Sequence, residues 1–176
     1  MTTFGLLMSG FMLLVSHLGE MDPSITPRMP VLNSPLLSIH VSIIMISYAL
    51  LSLTFISAIA YFLTCNSKRE SVMAANRQLT VLSQIFLYPA ITTLGLGIFI
   101  GAIWANISWG SYWGWDPKET WALITFMIYA IPLHTNSFSA LGKPKNYHLF
   151  MLLSFFSILM TYFGVNYILG GMHSYD

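Results

Sequence analysis

The sequence predicts an all-α fold: a polytopic bundle of about five transmembrane helices, with a tryptophan-rich loop on its outer face. Three observations predict it. Only 7% of the 176 residues are charged, against about 25% in an ordinary soluble domain. Hydrophobic residues make up 56% of the chain and the mean hydropathy is +0.70, so too little polar surface exists to clothe a water-soluble body of this length. The apolar residues fall in five runs, Phe4–Gly19, Pro35–Thr64, Leu79–Ala105, Lys118–His134 and Tyr147–Gly171. The net charge of +1 points to no acidic polymer as partner and leaves no nucleic-acid footprint. With Cys65 as the single cysteine, a disulfide framework, a CxxC pair and a cysteine-based metal cluster are excluded within the chain.

Taken in order, Phe4–Gly19 is marginal for a span. The start Met-Thr-Thr-Phe has no basic region typical of a cleavable signal, so this run reads as a short first span or the end of a longer one. Glu20–Ser34 carries Pro23, Pro27 and Pro30 and reads as an extended connection. Pro35–Thr64 and Leu79–Ala105 exceed the roughly 20 residues needed to cross the hydrocarbon core, so they tilt or project beyond it. Lys118–His134 is just long enough if its helix starts at Pro117, and Tyr147–Gly171 closes the bundle.

Orientation follows from the basic residues of short loops. The loop Cys65–Gln78 holds Lys68, Arg69 and Arg77, and Thr135–Asn146 holds Lys143 and Lys145. The opposite side holds Arg28 and Lys118. The first two loops are therefore expected in the cytoplasm, and Glu20–Ser34, the tryptophan loop and Gly170–Asp176 on the outer side. No internal repeat, low-complexity tract or second domain is evident, so residues 1–176 are expected to form one membrane domain.

All five tryptophans fall between Trp104 and Trp121. An interfacial aromatic belt, with indoles at headgroup level, accounts for Trp104 and Trp121 at the two helix ends. It accounts less well for Trp109, Trp113 and Trp115, which share one short loop with Gly110, Ser111 and Gly114. Small residues between large flat rings let a backbone come close to a ligand and let the rings lie on it. Asp116-Pro117-Lys118-Glu119 has the pattern of a helix start: an N-cap Asp, Pro at the first helical position and Glu at the third. Asp116 would clamp the loop to the head of a rigid helix, which leaves room for a second role.

The five histidines are His17, His40, His134, His148 and His173. Histidine within a membrane span is a functional-site hypothesis by default, and neutral imidazole is a common axial ligand of haem iron. The chain has no CxxCH, so any haem it holds is held by non-covalent contacts and axial ligands. His40 lies near the outer end of its span and His173 just past the outer end of the last one. Both are at the depth of the tryptophan loop and could flank it as two axial ligands. The bland reading of each is a hydrogen-bonded interfacial histidine. His134 lies 18 residues beyond Asp116, roughly 27 Å along a helix, so it marks a second, inner site or a plain helix end. His148 is expected to snorkel or cap at the inner start of the last span, and His17 is a weak candidate beside the outer connection.

These residues resemble a known family. Trp109-Gly-Ser-Tyr-Trp113-Gly-Trp115-Asp116, followed by Pro117-Lys-Glu-Thr-Trp121, is similar to the tryptophan-rich loop of the haem-handling cytochrome c assembly proteins, most of all the CcsA/ResC type of system II. The CcmC and CcmF relatives share the loop but differ after the Asp. The run Asn33–Tyr48 looks like the segment with that family's first outer haem histidine, which falls on His40. Leu133-His134-Thr135 looks like its membrane histidine, and Tyr162 through Tyr175 like its last span with the second outer histidine, which falls on His173. The resemblance runs from about Asn33 to the end, in the right order.

It implies that haem b, held non-covalently as a substrate, enters near His134. Haem then reaches an outer site where His40 and His173 are axial iron ligands and Trp109, Gly110, Trp113, Trp115 and Asp116 line the macrocycle. There the vinyl groups meet the CxxCH thiols of an apocytochrome c, together with a CcsB/ResB-like membrane partner. The expected setting is a bacterial plasma membrane or a thylakoid-type membrane, with the loop, His40 and His173 on the periplasmic or lumenal face. Two departures stand out. Family members usually have further spans before the segment matching Asn33, and the partner's membrane histidine has no counterpart here. The chain therefore reads as a short CcsA-like subunit or the C-terminal part of a fused CcsBA-type protein. Competing readings are a haem exporter or chaperone that serves a separate ligase, an electron-transferring cytochrome b, and an inactive fragment.

Overall fold

A computed structural model describes residues 34–134 and 138–169, with side chains described as far as residue 165. Every described residue lies in the compact unit Ser34–Asp176. The first apolar run, the proline-rich connection, His17 and His173 lie outside the described residues.

Among the described residues the fold is all-α. Helix α1, Pro35–Thr64, starts on a proline after extended Ser34, an arrangement that suits the unpaired first-turn amides. Helix α2, Glu70–Trp109, runs for 40 residues with Pro89 inside. At 1.5 Å per residue it is about 60 Å long, twice the roughly 30 Å hydrocarbon core. By sequence, Cys65–Gln78 reads as a loop. The structure keeps only Cys65–Arg69 as connector and makes Glu70–Gln78 the first turns of α2. The segment is polar but rich in strong helix formers, Glu70, Met73, Ala74, Ala75, Arg77 and Gln78, so it extends the helix beyond the lipid.

Helix α3, Pro117–Ala130, passes into a 3₁₀ turn, Ile131–His134. Pro132 has no amide hydrogen to continue the α ladder. A second 3₁₀ turn, Ser139–Gly142, leads to α4, Pro144–Leu159, which continues as a π-helical segment, Met160–Leu169. Three described helices are long and apolar enough to cross a membrane: α1, α2 and Pro144–Val165. At 14 residues, α3 spans only about 21 Å.

Helices in lipid gain little from burying apolar surface against one another, so close approach and hydrogen bonds decide how they pack. Both are visible between α1 and α2. A Cβ on Gly97 would lie 2.5 Å from Ile44 Cδ1, so Gly97 is the position that lets the helices come together. Buried Ser47 donates from Oγ to the Ala90 carbonyl (2.8 Å). Phe55 of α1 stacks on Phe155 of α4 at 4.1 Å. Between α3 and the π-helical segment, the buried Thr125 and Thr161 hydroxyls share a 3.0 Å hydrogen bond. Large apolar side chains such as Leu63, Phe99 and Ile107 point outward, as a lipid-facing surface requires.

His148 departs from expectation. It is fully buried, with Nε2 3.0 Å from Thr80 Oγ1 and its ring stacked on Tyr61 at 4.3 Å. It neither snorkels nor caps, because α4 begins four residues earlier at Pro144 and carries it under the α1–α2 pair.

Candidate functional site

The C-terminal half of α2 and the first turn of α3 enclose a cavity of about 210 Å³ with α1 and the π-helical segment. His40, Tyr48, Trp104, Trp113, Lys118 and Thr161 are among its lining residues, with Val41, Ile44 and Ile98 as apolar wall. The volume is below the roughly 300–1,000 Å³ of a drug-sized site, so a larger flat ligand would enter by one edge.

His40 is fixed by α2. Its Nδ1 lies 2.8 Å from the Gly97 carbonyl oxygen. A carbonyl only accepts, so Nδ1 is the donor of this bond, and in the neutral ring Nε2 then carries the lone pair. This is the tautomer that metal-binding histidines adopt when a backbone carbonyl orients them. Gly101, one turn further, supplies the room. A Cβ there would meet His40 Cε1 at 2.6 Å and Nδ1 at 2.8 Å. Gly97, Gly101 and Trp104 recur at helical spacing on one face of α2. The sequence signal for these two glycines is the Gly97-x-x-x-Gly101 pattern in an apolar span, which tryptophan and histidine positions do not reveal.

The loop between α2 and α3 is clamped at both ends. α2 stops at Gly110 (φ 77°), whose amide donates to the Asn106 carbonyl at 2.9 Å. Only a residue at ease in the left-handed region closes a helix this way. At the other end the expected cap is present: the Lys118 amide donates to Asp116 Oδ2 (3.1 Å), and Glu119 completes a capping box. Asp116 is buried. Glu119 does more than cap, since its Oε2 also accepts the Gly114 amide at 2.8 Å.

The structure distributes the candidate residues unevenly. His40 and Trp113 share the cavity lining. The Trp113 indole N–H is buried without a hydrogen-bond partner among the described residues. Trp115 is 71% exposed and meets Trp113 edge to face at 5.9 Å. Trp109 packs edge-on against Trp104 at 4.8 Å, and neither Trp109 nor Trp115 is among the cavity-lining residues. Trp104 is not the headgroup anchor expected of it. It is 2% exposed because it lies on the same face of α2 as Gly97 and Gly101, turned to the cavity. His134 is exposed at the far end of the α3 unit, where its carbonyl accepts the Phe138 amide. His173 lies outside the described residues. Among the described residues no cluster of three or more His, Cys, Asp or Glu side chains could hold a bare metal ion.

The family model described as Cytochrome C assembly protein matches residues 1–173. The chain is 45% identical over 177 residues to Protein NrfI of Wolinella succinogenes, covering 97% of this chain and 19% of that protein. It is 37% identical to the cytochrome c biogenesis protein CcsA of Chlamydomonas reinhardtii, over 85% of this chain and 43% of that protein. With CcsA of Cyanophora paradoxa the identity is 35%, over 86% of this chain and 61% of that protein. The chain thus spans less than two thirds of the length of each of these relatives.

Proposed function

Because this chain belongs to the cytochrome c assembly protein family, we propose that it holds haem at the tryptophan-loop end of its bundle and presents it for thioether attachment to an apocytochrome c. The observation that carries this reading is the 2.8 Å contact of His40 Nδ1 with the Gly97 carbonyl beside a largely apolar cavity. It leaves Nε2 as the nitrogen with ligand character and holds the ring still. The chemistry of the lining fits haem: an oriented imidazole for iron, an apolar wall for the macrocycle, and aromatic rings for its faces.

In this reading His40 and His173 are the axial ligands of haem b, which is held non-covalently as a substrate. Trp113 forms part of the inner wall, with Trp109, Gly110, Trp115 and Asp116 completing the loop. Haem arrives from the cytoplasmic side past His134. The protein lies in a bacterial plasma membrane or a thylakoid-type membrane, with the loop on the periplasmic or lumenal face, and works with a CcsB/ResB-like partner. Attachment needs no redox reagent. Each CxxCH thiol adds across a vinyl group, so a carbon–sulfur bond forms at one vinyl carbon and a hydrogen is gained at the other. The chain's task is to hold the reacting atoms together, and the vinyl reactivity belongs to the haem.

The test uses the full chain in membranes with a CcsB/ResB-like partner and a CxxCH reporter. Wild type should show a low-spin bis-histidine haem spectrum and covalent haem on the reporter. His40→Gly should lose both, and added imidazole should restore part of each. Wild-type haem content in His40→Gly would sink the reading. Haem retained on the chain without covalent haem on the reporter would turn it toward an exporter or chaperone.

A further inference from the structure

We infer that Glu119 is a positioning residue for haem attachment, acting by locking Trp115 in an outward, left-handed conformation. The inference rests on the proposed haem site. Trp115 has φ 55° and is the only non-glycine residue with positive φ among the described residues. A bulky aromatic residue is rarely found there, and the conformation persists only where its surroundings impose it.

The first turn of α3 imposes it from three directions. Glu119 Oε2 accepts the amide of Gly114 (2.8 Å) and the amide of Asp116 (3.3 Å), the residues on either side of Trp115. The Thr120 hydroxyl donates to the Trp115 carbonyl at 3.4 Å. The Asp116 bond belongs to the helix cap. The Gly114 bond is not required by any cap, and it is the shorter of the two. Its effect is to fix the turn between Trp113, which lines the cavity, and Trp115, which stands outside it with its ring perpendicular at 89°. The Trp115 indole is 71% exposed and meets Trp113 by its edge. It extends the aromatic wall of the cavity outward, where the part of a flat macrocycle too large for the cavity would lie.

The full chain is prepared with 5-fluorotryptophan, and the Trp115 resonance is assigned by its absence in Trp115→Phe. Wild type should give one sharp Trp115 signal. Glu119→Ala should broaden or split it and lower haem retention about five- to tenfold, whereas Glu119→Gln, which keeps an accepting oxygen, should stay within twofold. Glu119 itself lines the cavity, so the double variant separates the clamp from a direct contact: in a Trp115→Gly background, Glu119→Ala should add less than twofold, since the two act through one element. An unchanged Trp115 signal in Glu119→Ala, or losses that multiply in the double variant, would overturn the inference. If the His40→Gly variant retains wild-type haem, the underlying haem reading fails instead. The fluorine spectrum still judges the clamp by itself.

Discussion

Replacing Gly101 with alanine would drive a methyl group into the imidazole of His40. The added Cβ would lie 2.6 Å from Cε1 and 2.8 Å from Nδ1, and carbon contacts relax to about 3.5–4.0 Å. The ring must therefore retreat from α2 by about 1 Å. A retreat of that size stretches the 2.8 Å contact with the Gly97 carbonyl beyond hydrogen-bonding range. The lost bond costs about 1 kcal/mol and the overpacking about 1–3 kcal/mol. Alanine's better helix propensity returns at most about 1 kcal/mol. The net loss of stability is then about 1–3 kcal/mol, small enough for the variant to fold.

The effect on haem should be larger than the effect on stability. Removing the partner that orients a metal-binding histidine typically costs about 10- to 100-fold in affinity, and no propensity term offsets it. The assay is haem content per protein in detergent, with the absorption spectrum as the check on iron ligation and thermal unfolding as the check on folding. Gly142→Ala is the matched control, because a Cβ at Gly142 would meet nothing within 4 Å. If Gly101→Ala keeps the wild-type spectrum and haem content, the Gly97 carbonyl does not orient an iron ligand.

Three further outcomes are expected. Asp116→Ala should lower the thermal stability of the detergent-solubilised protein by about 1 kcal/mol through loss of the cap, while Asp116→Asn stays near wild type. A large loss of haem attachment in Asp116→Asn at normal membrane levels would assign Asp116 a role beyond the cap. Thr161→Val should cost about 1–2 kcal/mol by taking a partner from the buried Thr125 hydroxyl and from the Tyr48 side chain, and Thr125→Val/Thr161→Val should recover only the Thr125 part, because Tyr48 still lacks its partner; thermal unfolding measures both. His148→Phe should cost no more than about 1 kcal/mol, since it keeps the stacking on Tyr61 and Thr80 retains its bond to the Asn76 carbonyl. His148→Ala opens a buried cavity and should cost about 3 kcal/mol. Both should leave the haem spectrum unchanged, because Thr80 is 17 residues from Gly97 along α2, roughly 26 Å.

The membrane class, the helices flanking the tryptophan loop and the start of α3 were all legible in the residues. These depend on local chemistry. A run of apolar residues needs lipid around it, and Asp116-Pro117-Lys118-Glu119 closes a helix start within four residues. The Phe4–Gly19 run and His173 fall outside the described residues, so the chain pattern alone speaks for them. The tertiary structure decided what depends on two helices meeting. Gly97 and Gly101 matter only because Ile44 and His40 lie against them, 53 and 61 residues away in the chain. Trp104 is a wall residue and not an anchor because its face of α2 is the one α1 covers. His148 is buried because α4 passes under that same pair. Periodicity fixes which residues share a helix face, but which faces come together depends on side-chain shape across the interface, and no single run of sequence contains that.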